Sequence, residues 1–392
     1  MRNVRSWVPL VVLAAHPLMA PPSASAADAI FSQSVLHEVR IEMDPADWQA
    51  LRDNFRENQY YAANVTLDNE LVEQVGVRSR GDGSRDANKP GLKFDFNKTV
   101  KTQEFHGYKS LVVDNVVQDA SMIRERLAYS VYEAMGIPAP QIAHCRLTVN
   151  GQYWGVYALI EPLSKPFLKN RLGEESGNLF DYEYSFEWDF GFRGDDAGEY
   201  TPEPFQPQTN EDHLDASGLI EFVRTANEAP DATFLTDIAK YLDVDKFLTY
   251  VATENALAEH DGFIGDFGMN NFYLYQYGNS TKFTVIPWDK DTAFTAAQWP
   301  VAYNLDTNVL TRRLTADPAK MKVYKDAVGR AATTAVNSRF LLPRLEQAFS
   351  QIRIAVIEDT KKPFDNETFE NAVNGLRGLI AGREEDVLAQ TK

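Results

Sequence analysis

Apolar and polar positions alternate through much of the N-terminal part of the chain, which is the pattern of strands that bury one face. The runs Tyr60 to Leu67 and Leu71 to Arg80 predict two strands joined by a turn. The runs Ala143 to Val149 and Tyr153 to Ile160 predict a hairpin around Asn150-Gly151, because this dipeptide suits a two-residue turn. We therefore expect an antiparallel sheet in this part of the chain.

Helical periodicity begins after Asp119 and dominates the C-terminal part. Apolar residues four apart predict a helix that Asp119 caps and Gly136 ends; they are Ile123, Leu127, Val131 and Met135. Further helices are predicted over residues 211–227, 231–242, 306–329, 330–350 and 364–391, and after an N-cap at Asp243. The pattern predicts an α+β fold, with a sheet-rich N-terminal lobe over residues 27–163 and a mainly helical C-terminal lobe over residues 164–392.

Residues 1–26 have the features of a signal peptide. Arg2 and Arg5 precede a short apolar run, and Ala24-Ser25-Ala26 is an A-x-A cleavage signal. The mature chain is then predicted to begin at Ala27, and the protein to be exported to the periplasm, the cell surface or the medium. No other apolar run reaches the roughly 18 residues of a transmembrane helix, so we predict no membrane span.

Charge and cysteine content narrow the partners and the chemistry. A net charge of −17 repels nucleic acid and anionic lipid, so we exclude both as partners of the chain as a whole, whereas a basic protein would fit. The one cysteine, Cys145, excludes an internal disulfide. It lies in an alternating run, which predicts a buried structural thiol.

The strongest chemical signal lies in residues 254–294. The runs Phe272 to Tyr275 and Phe283 to Ile286 predict a hairpin, whose ends are neighbours in an antiparallel pair. Oxygen-bearing side chains gather around these runs: Asp261, Asp266, Asn270, Asn271, Asp289 and Asp291. Such ligands suit Mg²⁺ or Mn²⁺, and Mg²⁺ usually binds together with phosphates. The alternative for any one of these residues is an ordinary Asx-turn.

A candidate phosphate site lies earlier, at Arg80-Gly81-Asp82-Gly83-Ser84 and Lys93. A glycine-rich turn can present backbone N–H groups to a phosphate, and a lysine on the following strand can add a point charge. The alternative is a solvated turn followed by a solvated lysine.

The order of these motifs resembles that of the CotH family, the spore-coat-H type of secreted atypical protein kinase. The resembling segments are Val77 to Gly81 with Lys93, Asp119 to Pro140, Asn150 to Pro162, Asn270 to Tyr275 and Ile286 to Asp291. The resemblance implies a two-lobed kinase-like fold. It also implies transfer of the γ-phosphoryl group of ATP to Ser or Thr hydroxyls of a protein substrate, with Mg²⁺ or Mn²⁺ as cofactor.

The same resemblance assigns the phosphate-binding residues. Lys93 would contact the ATP phosphates, with Arg80 and Gly81 beside it. Glu125, on the first long helix, would orient Lys93.

It also assigns the metal ligands and the base. Asn271, Asp289 and Asp291 would hold the metal. The base would be either Asp261 or Asp266. Asp261 follows a histidine at the family's usual position, whereas Asp266 stands five residues before Asn271, the interval found in ordinary kinases.

Two alternatives stay open from the sequence. One is a non-catalytic protein for surface or spore-coat assembly, which would use the acidic, aromatic residues 176–200 as its interaction surface. The other is a metal-dependent glycosyltransferase, because Asp289-Lys290-Asp291 is a D-x-D motif. The acceptor residue, the metal and the oligomeric state are not indicated.

Overall fold

Seven strands close into a barrel in the computed structural model, which describes residues 29–184 and 188–391. They are β1 (His37–Met43), β2 (Tyr61–Leu67), β3 (Glu70–Arg80), β4 (Gly91–Asp95), β5 (Ser110–Asp114), β6 (Ile142–Val149) and β7 (Gln152–Ile160). Their order around the barrel is β1-β2-β3-β4-β5-β7-β6. Antiparallel pairs form six of the seams, and a parallel pairing of β1 with β6 closes the barrel. The predicted signal peptide lies outside the described residues.

The alternation of the barrel strands is confirmed by burial. Leu92 and Phe94 of β4 are fully buried, and Phe96 just after β4 is 1% exposed, whereas Lys93 between them lies on the other face. Cys145 of β6 is also buried, and burial raises the pKa of its thiol, so the prediction of a structural thiol is confirmed.

Local turn and cap signals are also confirmed. Asn150 and Gly151 both have positive φ, at 49° and 77°, as the two-residue turn between β6 and β7 requires. Asp44 caps α1 (Pro45–Asp53) by accepting the Ala46 N–H at 2.8 Å. Helix α2 (Arg124–Ala134) begins later than predicted, because Asp119 accepts the N–H groups of Ile123 and Arg124 from one turn upstream.

The C-terminal part contains a second sheet as well as helices. Its strands are β8 (Asn178–Tyr182), β9 (Phe205–Pro207), β10 (Phe272–Gln276) and β11 (Phe283–Pro287), in the order β11-β10-β8-β9. Its helices are α3 (Lys165–Leu172), α4 (Ser217–Glu228), α5 (Phe234–Ile238), α6 (Val244–Ala256), α7 (Val309–Ala316), α8 (Pro318–Thr334), α9 (Ser338–Glu358) and α10 (Asn366–Gln390), with 3₁₀ turns at Ala197–Glu199 and Glu211–His213. No helix of residues 29–184 and 188–391 is long and apolar enough to span a membrane.

The α+β class is consistent with this architecture, but the predicted two-lobed kinase-like fold is wrong. The N-terminal strands form a closed barrel rather than an open antiparallel sheet. The C-terminal helices pack directly on that barrel, so one apolar cluster includes Val156 of β7 and Val356 of α9. Closure by β1 and β6 joins strands that are far apart in the chain, and such a pairing leaves no local pattern in the sequence.

Candidate functional site

The ends of the β10–β11 hairpin meet, as the sequence predicts. Phe272 pairs with Pro287, and the Trp288 N–H donates to the Asn271 carbonyl at 3.2 Å, so Asn271 and Asp289 both lie at this end of the hairpin. Both have left-handed backbone conformations, with φ of 54° and 48°. Such conformations are uncommon for residues other than glycine, and asparagine and aspartate adopt them more readily than most.

Asp261 is fixed against the same hairpin end. Its Oδ1 accepts a hydrogen bond from Asn270 Nδ2 at 2.9 Å, and its Oδ2 accepts one from Asn271 Nδ2 at 3.1 Å. Asn271 Nδ2 also donates to the Asp261 carbonyl at 2.8 Å. The loop after α6 therefore delivers an oriented carboxylate to the residues around Asp289.

Asp266 has a different environment. It is exposed, and its carboxylate accepts a hydrogen bond from the Tyr303 hydroxyl. Asp261 is among the charges that raise the pKa of Asp289, whereas Asp266 is not among the main ones. Of the two candidate bases, the structure thus brings only Asp261 to the hairpin end.

Three further carboxylates, those of Asp114, Glu125 and Asp291, interact electrostatically with Asp289. Burial, followed by the charge of Asp114, raises the pKa of Asp289 to about 7. Burial, followed by the charge of Asp289, raises the pKa of Glu125 to about 8 and moves the pKa of Asp291 well above its usual range. Carboxylates that repel one another in a buried place provide a site at which a cation is favoured.

Glu125 is tied to this acidic site by Tyr129, one turn later on α2. The Tyr129 hydroxyl donates to Glu125 Oε1 at 2.6 Å and accepts the Asp289 backbone N–H at 3.1 Å. The Lys290 backbone N–H lies 3.4 Å from Glu125 Oε1. Within the described residues Glu125 forms no ion pair with Lys93, so its role in orienting that lysine stays a prediction.

Lys93 and Arg80 lie on neighbouring strands, and Arg80 connects the two predicted sites. Burial and the charge of Arg78 lower the pKa of Lys93, and its ammonium forms no hydrogen bond or ion pair with the described part of the chain. Arg80 Nη1 lies 3.4 Å from Asp114 Oδ2, and the Arg80 charge lowers the pKa of Asp289. Positive charge is therefore available beside the acidic site, where it could meet an anionic ligand.

The turn that contains Gly81 is tightly folded, and Ser84 and Arg85 occupy the space beside Gly81. Gly81 has φ of 109°, and a Cβ there would approach Ser84 Oγ to 2.5 Å. The Gly81 carbonyl accepts a hydrogen bond from Arg85 Nε at 2.6 Å. Glycine is thus needed for the backbone of this turn, and its contact with a phosphate stays a prediction.

The side chains at this site suit Mg²⁺ or Mn²⁺ if phosphate oxygens and water complete the coordination shell. No three His, Cys, Asp or Glu side chains of residues 29–184 and 188–391 form a group that could hold a metal ion by themselves. Mg²⁺ commonly takes one or two carboxylates and completes its shell with phosphate oxygens and water. Asp289 and the Asn271 amide oxygen match that pattern, whereas a metal held by protein atoms alone does not.

Sequence reasoning missed several residues of this site. Asp114 ends β5 directly after an apolar run, a position comparable to that of Asp289 after β11. Lys290 lies inside the D-x-D motif, yet it is fully buried and pairs with Glu254 Oε1 at 3.0 Å. A helix tyrosine such as Tyr129 carries no signal that would distinguish it from a core residue.

Asp181 of β8, which contacts Tyr273 of β10, is expected to make the stability of the protein depend on pH. Burial raises its pKa to about 6, although the Tyr273 hydroxyl donates to its Oδ2 at 2.7 Å. A carboxyl with a higher pKa in the folded state favours folding at low pH, and stability falls as the pH rises through the folded-state pKa. We expect this group to cost about 2–3 kcal/mol of unfolding free energy between about pH 4 and pH 7.

Urea unfolding of Asp181→Asn at pH 4.5 and pH 7.5 measures this cost. We expect the variant to lose less stability between these pH values than the wild type. Asp212→Asn, at an exposed position, is the matched control and should follow the wild type. A variant whose pH dependence equals that of the wild type would contradict the assignment.

This chain is similar to known proteins over most of its length. The family model described as CotH kinase protein matches residues 77–387, which include the barrel strand with Lys93, the hairpin and most C-terminal helices. Inner spore coat protein H of Bacillus subtilis (strain 168) is 23% identical over 366 residues, covering 90% of this chain and 97% of that protein. Inner spore coat protein H-like protein of the same organism is 38% identical over 55 residues, covering 14% of this chain and 18% of that protein. This chain therefore belongs to the CotH family.

Proposed function

We propose that this chain is a metal-dependent protein kinase that transfers the γ-phosphoryl group of ATP to Ser or Thr hydroxyls of a protein substrate. The observation that carries the proposal is the placement of Asp289 among Asp114, Asp261 and Glu125, with Arg80 beside them. Buried anions that repel one another next to an arginine suit a ligand that contains both a cation and phosphates. The description of the matching family model supports the same reaction.

Asp289 and Asn271 would hold the metal, with Asp291 contributing charge close by. When bound, Mg²⁺ or Mn²⁺ neutralises the charge that develops on the phosphate oxygens. The left-handed backbone of Asn271 and Asp289 directs the two side chains from one hairpin end. Tyr129 binds the Asp289 N–H and thereby limits movement of the loop that carries this carboxylate.

Lys93 and Arg80 would bind the phosphates of ATP. The Lys93 ammonium has no described partner that a phosphate would need to displace. Arg80 contacts Asp114 at 3.4 Å and lies over the Trp288 ring, 5.5 Å from its centroid, and its guanidinium has further N–H groups that could donate to a phosphate oxygen. Gly81 continues the chain directly after Arg80 and would allow a phosphate to approach the backbone of the turn.

Asp261 would accept the proton of the substrate hydroxyl. The amides of Asn270 and Asn271 bind one oxygen each, which fixes the plane of the carboxylate. An oriented carboxylate close to the transferred group is the arrangement that phosphoryl transfer requires of its base. Asp266 is the alternative base. Its carboxylate is exposed and accepts a hydrogen bond from the Tyr303 hydroxyl.

The second candidate is a non-catalytic assembly protein of a surface or coat. The printed name of the Bacillus subtilis relative, an inner spore coat protein, favours it. We also propose that the chain is exported through its first 26 residues, and the name of this relative supports the coarser proposal of a coat- or surface-associated location. The glycosyltransferase alternative has less support, because β1 and β6 form the one parallel strand pair among the described sheets.

A thermal-shift experiment separates the two candidates. We expect ATP together with Mg²⁺ to raise the melting temperature of the purified protein more than ATP alone, because a ligand that binds only the folded state stabilises it. The increase should be lost in Asp289→Asn. An assembly protein would show no Mg²⁺-dependent effect of ATP, and this result would overturn the proposal.

A further inference from the structure

A cavity lies between α5, α6 and β11. Its volume is about 510 Å³, which falls within the range of small-molecule binding sites. Its wall includes Val285 of β11, four residues before Asp289. β11 ends at Pro287, so Val285 lies within the strand whereas Asp289 lies beyond its end.

The walls of this cavity combine apolar side chains with a polar rim. Leu242, Phe247 and Phe283 contribute side chains that are no more than 3% exposed. Tyr250 of α6 also lines the cavity, and its hydroxyl is already used in a hydrogen bond to Glu254 at 2.9 Å. A ligand could therefore combine apolar contacts in the cavity with polar contacts at its rim.

Among the charged residues that line the cavity, lysines outnumber aspartates by one. Asp245 pairs with Lys320 at 2.7 Å, and Asp243 accepts the Lys246 backbone N–H as the cap of α6. Lys282 donates to the carbonyls of Ala239 and Leu242. The Lys246 ammonium is half-buried and has no hydrogen bond or ion pair with the described residues, although the nearby charge of Asp243 partly offsets the lowering of its pKa by burial.

We propose that this cavity binds a small apolar molecule that carries a single carboxylate or sulfonate, with Lys246 as the partner of the anionic group. The apolar walls supply the contact area, and the unpaired ammonium at the rim selects an anion over a neutral molecule. The proposal does not depend on the kinase reaction, because none of these residues belongs to the acidic site.

Two fluorescent probes with the same rings test both parts of the proposal. The anion 8-anilinonaphthalene-1-sulfonate carries a sulfonate, and N-phenyl-1-naphthylamine does not. We expect saturable binding of the anion to the purified full-length protein. Replacement of the cation in Lys246→Gln should weaken binding of the anion about tenfold, the scale of a hydrogen bond to a charged group, and leave binding of the neutral probe unchanged.

A cavity-filling variant provides the second measurement. Ala239 is exposed at the rim, so Ala239→Trp should fold and should weaken binding of both probes by occupying the space. Lys101→Gln, at an exposed lysine near the barrel, is the matched control and should bind as the wild type does. Unchanged affinity in Ala239→Trp would overturn the site, and an equal loss of both probes in Lys246→Gln would overturn the role of its charge.

Discussion

Replacement of Asp289 by asparagine is expected to lower phosphate transfer at least about a hundredfold, the scale seen when a group that stabilises developing charge is removed. Asparagine keeps the size and shape of the side chain but removes the carboxylate that would bind the metal. The other carboxylates do not compensate, because Glu125 is engaged by Tyr129 and Asp261 by two asparagine amides.

The same substitution is expected to raise thermal stability in the absence of ligands. Burial and the charge of Asp114 raise the pKa of Asp289 to about 7, so ionised Asp289 opposes folding at neutral pH. Removing the charge relieves that cost, as often happens where a binding site carries groups that are unfavourable without their ligand.

Transfer of labelled phosphate from ATP to a basic model protein, together with a melting curve, measures both effects. Asp326→Asn is the matched control: this aspartate lies on α8, is 61% exposed in its side chain and pairs with Lys322. The control should keep both activity and stability. Full activity in Asp289→Asn would remove Asp289 from the site, and a large loss of stability would indicate a structural role instead.

Replacement of Lys89 by methionine is expected to destabilise the protein by about 3–5 kcal/mol, the cost of breaking a buried ion pair by removing one partner. Lys89 Nζ lies 2.8 Å from Asp359 Oδ2, and both side chains are fully buried. Asp359 follows α9 and accepts the Val156 N–H of β7 at 3.1 Å, so the pair joins the barrel to the C-terminal helices. Without Lys89 the Asp359 carboxylate would be left buried with backbone donors alone.

Urea unfolding at pH 7.5 measures this loss. The matched control is Lys320→Met, which breaks an ion pair with Asp245 whose side chain is 59% exposed, and which should cost at most about 1 kcal/mol. A comparable small effect in Lys89→Met would show that the backbone donors to Asp359 are sufficient. Asp359→Asn should show the reciprocal loss, because it leaves the Lys89 ammonium buried.

Features that depend on neighbouring residues could be predicted from the sequence. The Asn150-Gly151 turn, the Asp44 and Asp243 caps and the β10–β11 hairpin all follow from local chemistry. The position of Asn271 and Asp289 at one end of that hairpin also followed, because antiparallel ends are neighbours by geometry.

Features that join distant parts of the chain could not. The parallel seam between β1 and β6 and the Lys89–Asp359 pair, 270 residues apart, have no local pattern. The same limit applies to the site. Asp114 and Tyr129 act on Asp289 only because the barrel and α2 pack against the hairpin, and the sequence alone did not show that Asp261, rather than Asp266, lies at the hairpin end.

Intact-mass measurement of the purified protein after incubation with ATP and Mg²⁺ or Mn²⁺ tests the central claim most directly. A kinase with accessible hydroxyls is expected to phosphorylate itself, which adds the mass of whole phosphate groups. The account predicts such additions in the wild type and none in Asp289→Asn under the same conditions. An unchanged wild-type mass, together with no Mg²⁺-dependent thermal effect of ATP, would contradict the kinase proposal and favour a role in assembly.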